Sequence, residues 1–399
     1  MNIRSVTCFL NAGDPDIHSG SVHEAGKVAQ EVSTVLESAG FPVQTKRMAT
    51  QSLPTPPAAR LRLASDLSAR CEEAGFDYLS LGPILAAAPD SDLPGLDLLP
   101  ELIGSTKSVF ASVLVARKQD DLHLEAIRRT ANAVRQIAHT TEQGFGNLRL
   151  AMLANVEPHA PFFPAAYHDG GSPALSLATE SADLAVTAFS DGGTLDQMRK
   201  RLVAAIEQTA GKLVSLVKPL ARRRGIRFIG VDFSLAPFPE DLRSIGAAIE
   251  HLGVDRFGAP GTLFAVSLLT DCLRQAASTY PSCGFNGVML PLLEDTILSG
   301  RSREELISVN DLLLYSAVCG TGLDTVPLPG DVSEGELAGI LLDVAALALR
   351  LDKPLTARLM PIPGAKAGDL TEFDFPYFSN GQVLAVKGFG SQRMFERGI

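Results

Sequence analysis

The stretch from Tyr315 to Asp331, YSAVCGTGLDTVPLPGD, sets a thiol at Cys319, a hydroxyl at Thr321 and carboxylates at Asp324 and Asp331 directly behind an apolar helical run. A cysteine in such company can act as a nucleophile or in proton transfer, provided its surroundings favour the thiolate. Gly320 and Gly322 permit backbone angles closed to other residues, and Pro327 and Pro329 restrict the backbone around them. The run therefore reads as a shaped loop rather than a core element. The competing reading is a buried cysteine at a helix end followed by a glycine stop.

Ligands in α/β folds gather beyond the carboxyl ends of strands, and the apolar runs of this chain end in polar residues. Leu148–Ala154 ends at Asn155, followed by Tyr167-His168-Asp169-Gly170-Gly171; Ile226–Val231 ends at Asp232; Gly287–Leu290 ends at Pro291, ahead of Glu294 and Asp295. His168 suits a general base or a metal ligand because imidazole titrates near neutrality, or else a loop histidine bonded to backbone. A carboxylate placed directly after an apolar strand needs a partner, so Asp232 is expected to meet a basic group such as Arg358 or a divalent cation. Glu294 and Asp295 carry oxygens of the kind that hold Mg²⁺ or Ca²⁺, although adjacent residues point apart and one of them should cap the next segment. Arg358 can grip a carboxylate through its planar fork, or pair internally with Asp232 or Asp324. Lys366, in the loop PGAKAGD, supplies a movable point charge. The expected catalytic set is thus Cys319, His168, Asp232 and Asp324. The expected ligand-binding set is Asn155, Thr321, Arg358 and Lys366, around a small, polar, anionic metabolite. There is no GxGxxG after a strand and no P-loop, HExxH or GxSxG elbow, so no dinucleotide is expected.

The elements that must position these groups alternate between short strand-like runs and longer helical ones, an α/β signature. Strand candidates are Val6–Leu10, Val43–Met48, Tyr78–Leu81, Val109–Val115, Leu148–Ala154, Ile226–Val231, Gly287–Leu290 and Thr356–Met360. Turn-spaced Val28, Val32 and Leu36 before Gly40, and Leu63, Leu67 and Cys71 before Gly75, mark helices with glycine stops. Thr194 with Gln197 and Ser333 with Glu336 fit capping boxes. The run AAAPDSDLPGLDLLP at 86–100 reads as a long loop or lid. No repeat or composition shift divides the chain, so one large domain over residues 1–399 is expected. The formal charge of −10, from 45 acidic and 35 basic residues, argues against a nucleic-acid partner. Five scattered cysteines without a CxxC pair suggest a reducing, cytoplasmic compartment. No uncharged apolar run approaches the ~18 residues of a membrane span. The expected partners are the metabolite and, in a homo-oligomer, further copies of the chain.

The motifs VDFSLAPFP at 231–239, GAPGT at 258–262, GFNGVMLPLLED at 284–295, YSAVCGTGLD at 315–324 and ARLMPIPGAKAGDLTEF at 357–373 resemble uncharacterised protein family 0210, domain of unknown function 711. IRSVTCFLN at 3–11 and PFFPAAYH at 161–168 extend the resemblance more loosely into the N-terminal half. It implies a fold similar to pyruvate formate-lyase-like glycyl-radical enzymes, a closed α/β barrel of about ten strands with a loop threading its interior. Cys319 would then be the candidate for the inner loop. The radical segment of those enzymes has no counterpart in VLAVKGFGSQRMFERGI, so radical chemistry is not expected. The family has no settled activity. The reading is a small-metabolite enzyme using acid/base or cysteine chemistry, with a metabolite sensor as the alternative.

Overall fold

A computed structural model describes residues 1–11, 19–53, 57–87, 93–388 and 390–397. Its strands are β1 (Asn2–Leu10), β2 (Lys46–Thr50), β3 (Tyr78–Leu85), β4 (Val109–Arg117), β5 (Asp121–Leu122), β6 (Leu150–Ala154), β7 (Ala174–Glu180), β8 (Arg227–Asp232), β9 (Gly322–Pro329) and β10 (Leu355–Ile362). They form one mixed sheet in the order β8-β7-β1-β2-β3-β4-β6-β10-β9, with β5 beside β4. β1, β2, β3, β4 and β6 run parallel; β7 and β10 flank them antiparallel and are each parallel to the edge strand beyond. The sheet therefore has two outer parallel pairs running against its centre.

Alternation along each strand assigns its two faces. Val6, Cys8 and Leu10 of β1, Val109, Ala111, Val113 and Val115 of β4, and Leu150, Met152 and Ala154 of β6 join the large cluster packed by the helices. Phe9, Phe110, Leu114, Ala151 and Leu153 point the other way. The connection between β6 and β7 covers that second face. Residues 156–168 fold back over it, with Ala160, Ala165 and Ala166 small enough to lie close to the strands and Phe162 and Phe163 at the far tip. Buried hydroxyls hold this hairpin's backbone: Ser80 donates to Ala166 O at 2.8 Å and Ser176 to His159 O at 3.1 Å. The stretch with Cys319 does not take this place. Cys319 still bonds helically to Tyr315 (N to O, 2.8 Å), and its thiol lies in the helix-side cluster.

The helices agree with their sequence signals. Ser19–Ser38 and Pro57–Glu73 carry the expected apolar stripes, and Leu195–Arg223 and Glu334–Leu351 open on the Thr194/Gln197 and Ser333/Glu336 capping boxes. Within the expected loop at 86–100, residues 88–92 lie outside the described residues. Beyond them Leu93–Leu98 forms a 3-10 turn and Leu99–Ser105 an α-helix opening with Pro100 near its start. No helix among the described residues is long and apolar enough to cross a membrane.

Two strand readings change. Gly322–Pro329, expected as a loop, is a buried strand, and its prolines are tolerated because β9 is the last strand of the ladder. Gly287–Leu290, expected as a strand, is irregular. It belongs to a segment that touches both sheet edges through isolated bridges, Val231–Ser282 and Leu235–Val288 on the β8 side and Pro291–Asp324 on β9. The ladder itself is open between β8 and β9. Gly320 N donates to Val288 O at 2.8 Å, and a Cβ on Gly320 would stand 2.5 Å from Gly287 Cα. Gly320→Ala should consequently cost about 1–3 kcal/mol, the usual range for forced overpacking. Urea denaturation checks this, and an unchanged midpoint would mean the two segments do not meet so closely.

Candidate functional site: an arginine-lined cavity

Beneath the hairpin tip lies a cavity of about 80 Å³, lined by Arg4, Arg47 and Arg358, by Glu294 and Asp324, and by aromatic walls that include Tyr78, Phe110, Phe162 and Phe163. It opens at the amino ends of the central strands, since Arg4 lies near the start of β1, Arg47 of β2, Tyr78 of β3 and Phe110 of β4. The expected location, beyond their carboxyl ends, is at the opposite end of the sheet.

Irregular pairing delivers the charges. The register of β1 against β7 shifts between Ile3 and Ser5, setting Arg4 out of the alternation, and that of β10 against β9 shifts between Ala357 and Leu359, around Arg358. On β9 the shift falls at Thr325, held at φ 45° in the left-handed region beside Asp324. The result is an alternating chain of buried ions. Arg4 pairs with Glu294 Oε2, Arg358 Nη2 donates to Glu294 Oε1 at 2.9 Å, and Arg358 Nε donates to Asp324 Oδ1 at 2.6 Å. Burial would raise the Glu294 carboxyl, but its paired Arg4 and Arg358, with a smaller contribution from more distant Arg47, outweigh that and hold it below the usual carboxylate range. Asp324 goes the other way: burial raises it more than its one arginine lowers it, and nearby Glu294 adds to the rise. Its Oδ2 makes no hydrogen bond among the described residues.

Arg47 stands apart from this chain. Only 9% exposed, it donates from Nε to Thr45 Oγ1 at 2.8 Å, and no carboxylate among the described residues lies within ion-pair distance. Its guanidinium carbon sits 5.1 Å from the Phe163 ring centroid and 5.7 Å from that of Tyr78. Burial, with the repulsion of Arg4 and Arg358 and against the weaker opposing pull of Tyr78 and Glu294, lowers its pKa to about 10, so the group keeps its charge at neutral pH. Arg358 is covered in the same manner by Phe162, at 5.7 Å. Each phenylalanine at the hairpin tip thus lies over one arginine. Phe375 and Tyr377, from the C-terminal segment, also line it.

The profile of the family described as Uncharacterised ACR (DUF711) matches residues 1–379. The chain belongs to that family. It is 32% identical to a UPF0210 protein of Methanopyrus kandleri over 92% of this chain and 88% of that protein. A UPF0210 protein of Methanococcoides burtonii is 27% identical over 100% of this chain and 93% of its own length. The DUF711 family has no settled activity.

In this DUF711 chain, the residues singled out from sequence fall in several places. Arg358, Asp324 and Glu294 meet in the cavity, with Arg358 in the internal pair to Asp324. Asp295 does not join Glu294: its oxygens accept from Ser244 Oγ and from backbone N–H groups at the starts of both Ile245–His251 and Thr296–Arg303, so it caps two helices and has no oxygen left for a cation. Glu294 likewise spends its oxygens on arginines. Asp232 is satisfied by hydrogen bonds rather than by Arg358 or a cation, accepting from Ser234 Oγ, Phe285 N and Asn286 N. Asn155 bridges Lys118 N and Ala348 O, Lys366 is exposed, and Thr321 is buried with no partner for its hydroxyl among the described residues. Among the described residues the Cys319 thiol accepts a hydrogen bond only from the Gly322 N–H, at 3.4 Å. Arg4, Arg47 and the hairpin phenylalanines were not anticipated. Arg47 had a legible signal, a charged side chain on the same strand face as Thr45 and Ala49.

His168 lies at the carboxyl end of β2, where its N–H donates to Thr50 O. Its Nδ1 accepts from Gly170 N at 3.2 Å, which leaves the proton on Nε2, facing Ser172 O at 3.1 Å. His159, His168 and Asp169 come close enough together to share a metal ion, yet the Arg227 guanidinium already reaches Asp169 at 3.0 Å and His159 at 3.3 Å. Burial, opposed by Asp169 and aided by His168 and Arg227, lowers His159 to about 4. The unfolded imidazole takes a proton near pH 6.5 that the folded one resists, so stability falls as pH drops from ~6.5 to ~4. The urea midpoint should fall less over that window in His159→Gln than in the parent protein; equal losses would contradict the assignment.

Proposed function

We propose that this protein is an enzyme acting on a small anionic metabolite held in the arginine-lined cavity, by acid–base rather than radical chemistry. The observation that supports this reading is Arg47, a buried cation that lines the cavity and whose terminal NH₂ groups make no hydrogen bond to the described residues. An uncompensated buried charge is costly, and an anion entering from solvent offsets that cost. Asp324 is the proton-transfer group in this proposal, because it lines the same cavity, Oδ2 makes no hydrogen bond to the described residues, and burial raises its carboxyl above the ordinary value. Arg358, itself anchored by Glu294, holds it in place. Cys319 and His168 take no part in the proposed step.

The architecture proposed with it is a barrel similar to that of the pyruvate formate-lyase-like enzymes, in which residues 281–291 stand between β8 and β9 and residues 156–168 are the inner loop. Its support is the pair of bridges to the two sheet edges and the hairpin over the inner face. The proposed inner loop brings phenylalanines, not a cysteine, to the site.

Proton transfer is visible without knowing the product. Incubating the protein in D₂O with a panel of small organic acids and monitoring proton NMR should reveal deuterium uptake or product formation for at least one of them. Asp324→Asn should slow that exchange by about 10²-fold or more. A ligand that binds and is recovered unchanged and undeuterated would sink the enzyme reading and leave a sensor.

A further inference from the structure

We infer that the anion this cavity takes is a short monocarboxylate, seated on the two terminal NH₂ groups of Arg47 with its carbon chain against Phe110, Phe162 and Phe163. The inference rests on the reading of the cavity as the site, and four observations narrow the ligand beyond "anion".

Charge comes first. The charged residues lining the cavity are Arg4, Arg47 and Arg358 against Glu294 and Asp324, an excess of one positive charge when all are ionised. Glu180, close behind Arg4, is matched by Arg243. A monoanion closes that balance, whereas a phosphate dianion would leave a buried negative charge uncompensated. Geometry comes second. Arg47 spends Nε on Thr45, whose hydroxyl is itself tied to Arg4 O at 2.7 Å, and the guanidinium is braced by Phe163 and Tyr78. A guanidinium held in one plane presents two parallel N–H donors, the match for a planar carboxylate.

Size is the third restriction. About 80 Å³ is room for roughly five water-sized positions at the ~15 Å³ each requires, so the part of the ligand that enters has only a handful of heavy atoms. The fourth is the wall chemistry: Phe110, Phe162, Phe163, Leu148 and Met289 outnumber the uncharged polar lining of Gln44, Thr45, Tyr78 and Tyr377, and they suit a short hydrocarbon chain better than a second charged group.

Isothermal titration of the full chain at about pH 8.5, where inorganic phosphate is the dianion and butyrate a monoanion, and at low salt, with butyrate and inorganic phosphate as probes, tests this. Butyrate should bind and phosphate should not. Arg47→Lys keeps the charge but loses the fork and should weaken butyrate by at least fivefold; Arg47→Met should weaken it by at least tenfold. Arg47→Met also supplies the control for folding. Removing an unpaired buried charge while keeping side-chain volume should leave the thermal midpoint of the ligand-free protein unchanged or raised. A lowered midpoint would assign Arg47 a structural role and overturn the inference. Phosphate binding that depends on Arg47, with no butyrate binding, would overturn the carboxylate assignment and leave the cavity reading standing. If neither probe binds at millimolar concentration, both fall.

Discussion

The alternating chain Arg4–Glu294–Arg358–Asp324 is the constraint around which the sheet is arranged. Four ionised groups out of water need their partners in register, because each one left alone would carry a desolvation penalty of several kcal/mol. They come from β1, from the turn after Pro291, from β10 and from β9, so the chain is complete only when segments distant in sequence have found one another. The register shifts at Arg4 and Thr325 are consequences of this. A regular ladder would send Arg4 and Asp324 to the helix side, where the neighbours are aliphatic.

The hairpin 156–168 is the second half of the same solution. A sheet with helices on one face must cover the other, and here the cover comes from the connection between β6 and β7 rather than from a second layer of helices. Its alanines allow close approach, and its tip brings Phe162 over Arg358 and Phe163 over Arg47. The rings lower the local dielectric and brace the guanidinium groups, which sharpens the contrast between the arginine with two carboxylates and the arginine with none. Within this arrangement Arg47 is the one cation of the cavity lining whose balance lies outside the chain.

Sequence periodicity made the α/β class and most of the sheet legible, because strands such as Val109–Val115 and capping boxes such as Thr194/Gln197 are local signals. It misplaced β9, where Gly322, Pro327 and Pro329 speak locally of a loop while β10 supplies a ladder that overrides them. Of the cavity, Arg358 and Asp324 were visible as polar residues near apolar runs, with their mutual pairing among the readings. Asp232 and Asp295 looked the same and proved to be bound up by hydroxyl and backbone donors, because a carboxylate near an element end serves a cap as readily as a site. Arg4 and Arg47 stayed hidden for a plain reason. They sit at strand beginnings, whereas ligand sites of α/β folds lie at strand ends, and the two outer pairs running against the central strands bring both kinds of end to one side of the sheet.

Arg47, charged, buried and without a carboxylate partner, is the group whose balance an anion completes. The most direct measurement is nitrogen NMR of protein labelled at arginine side chains, with the Nε and Nη resonances monitored during a butyrate titration. Resonances assigned to Arg47 by their loss in Arg47→Met should shift and sharpen as butyrate is added, while those of Arg4 and Arg358, already paired, stay in place. An Arg47 signal that is unmoved by butyrate, or that already shows the signature of a carboxylate pair in its absence, would contradict this role.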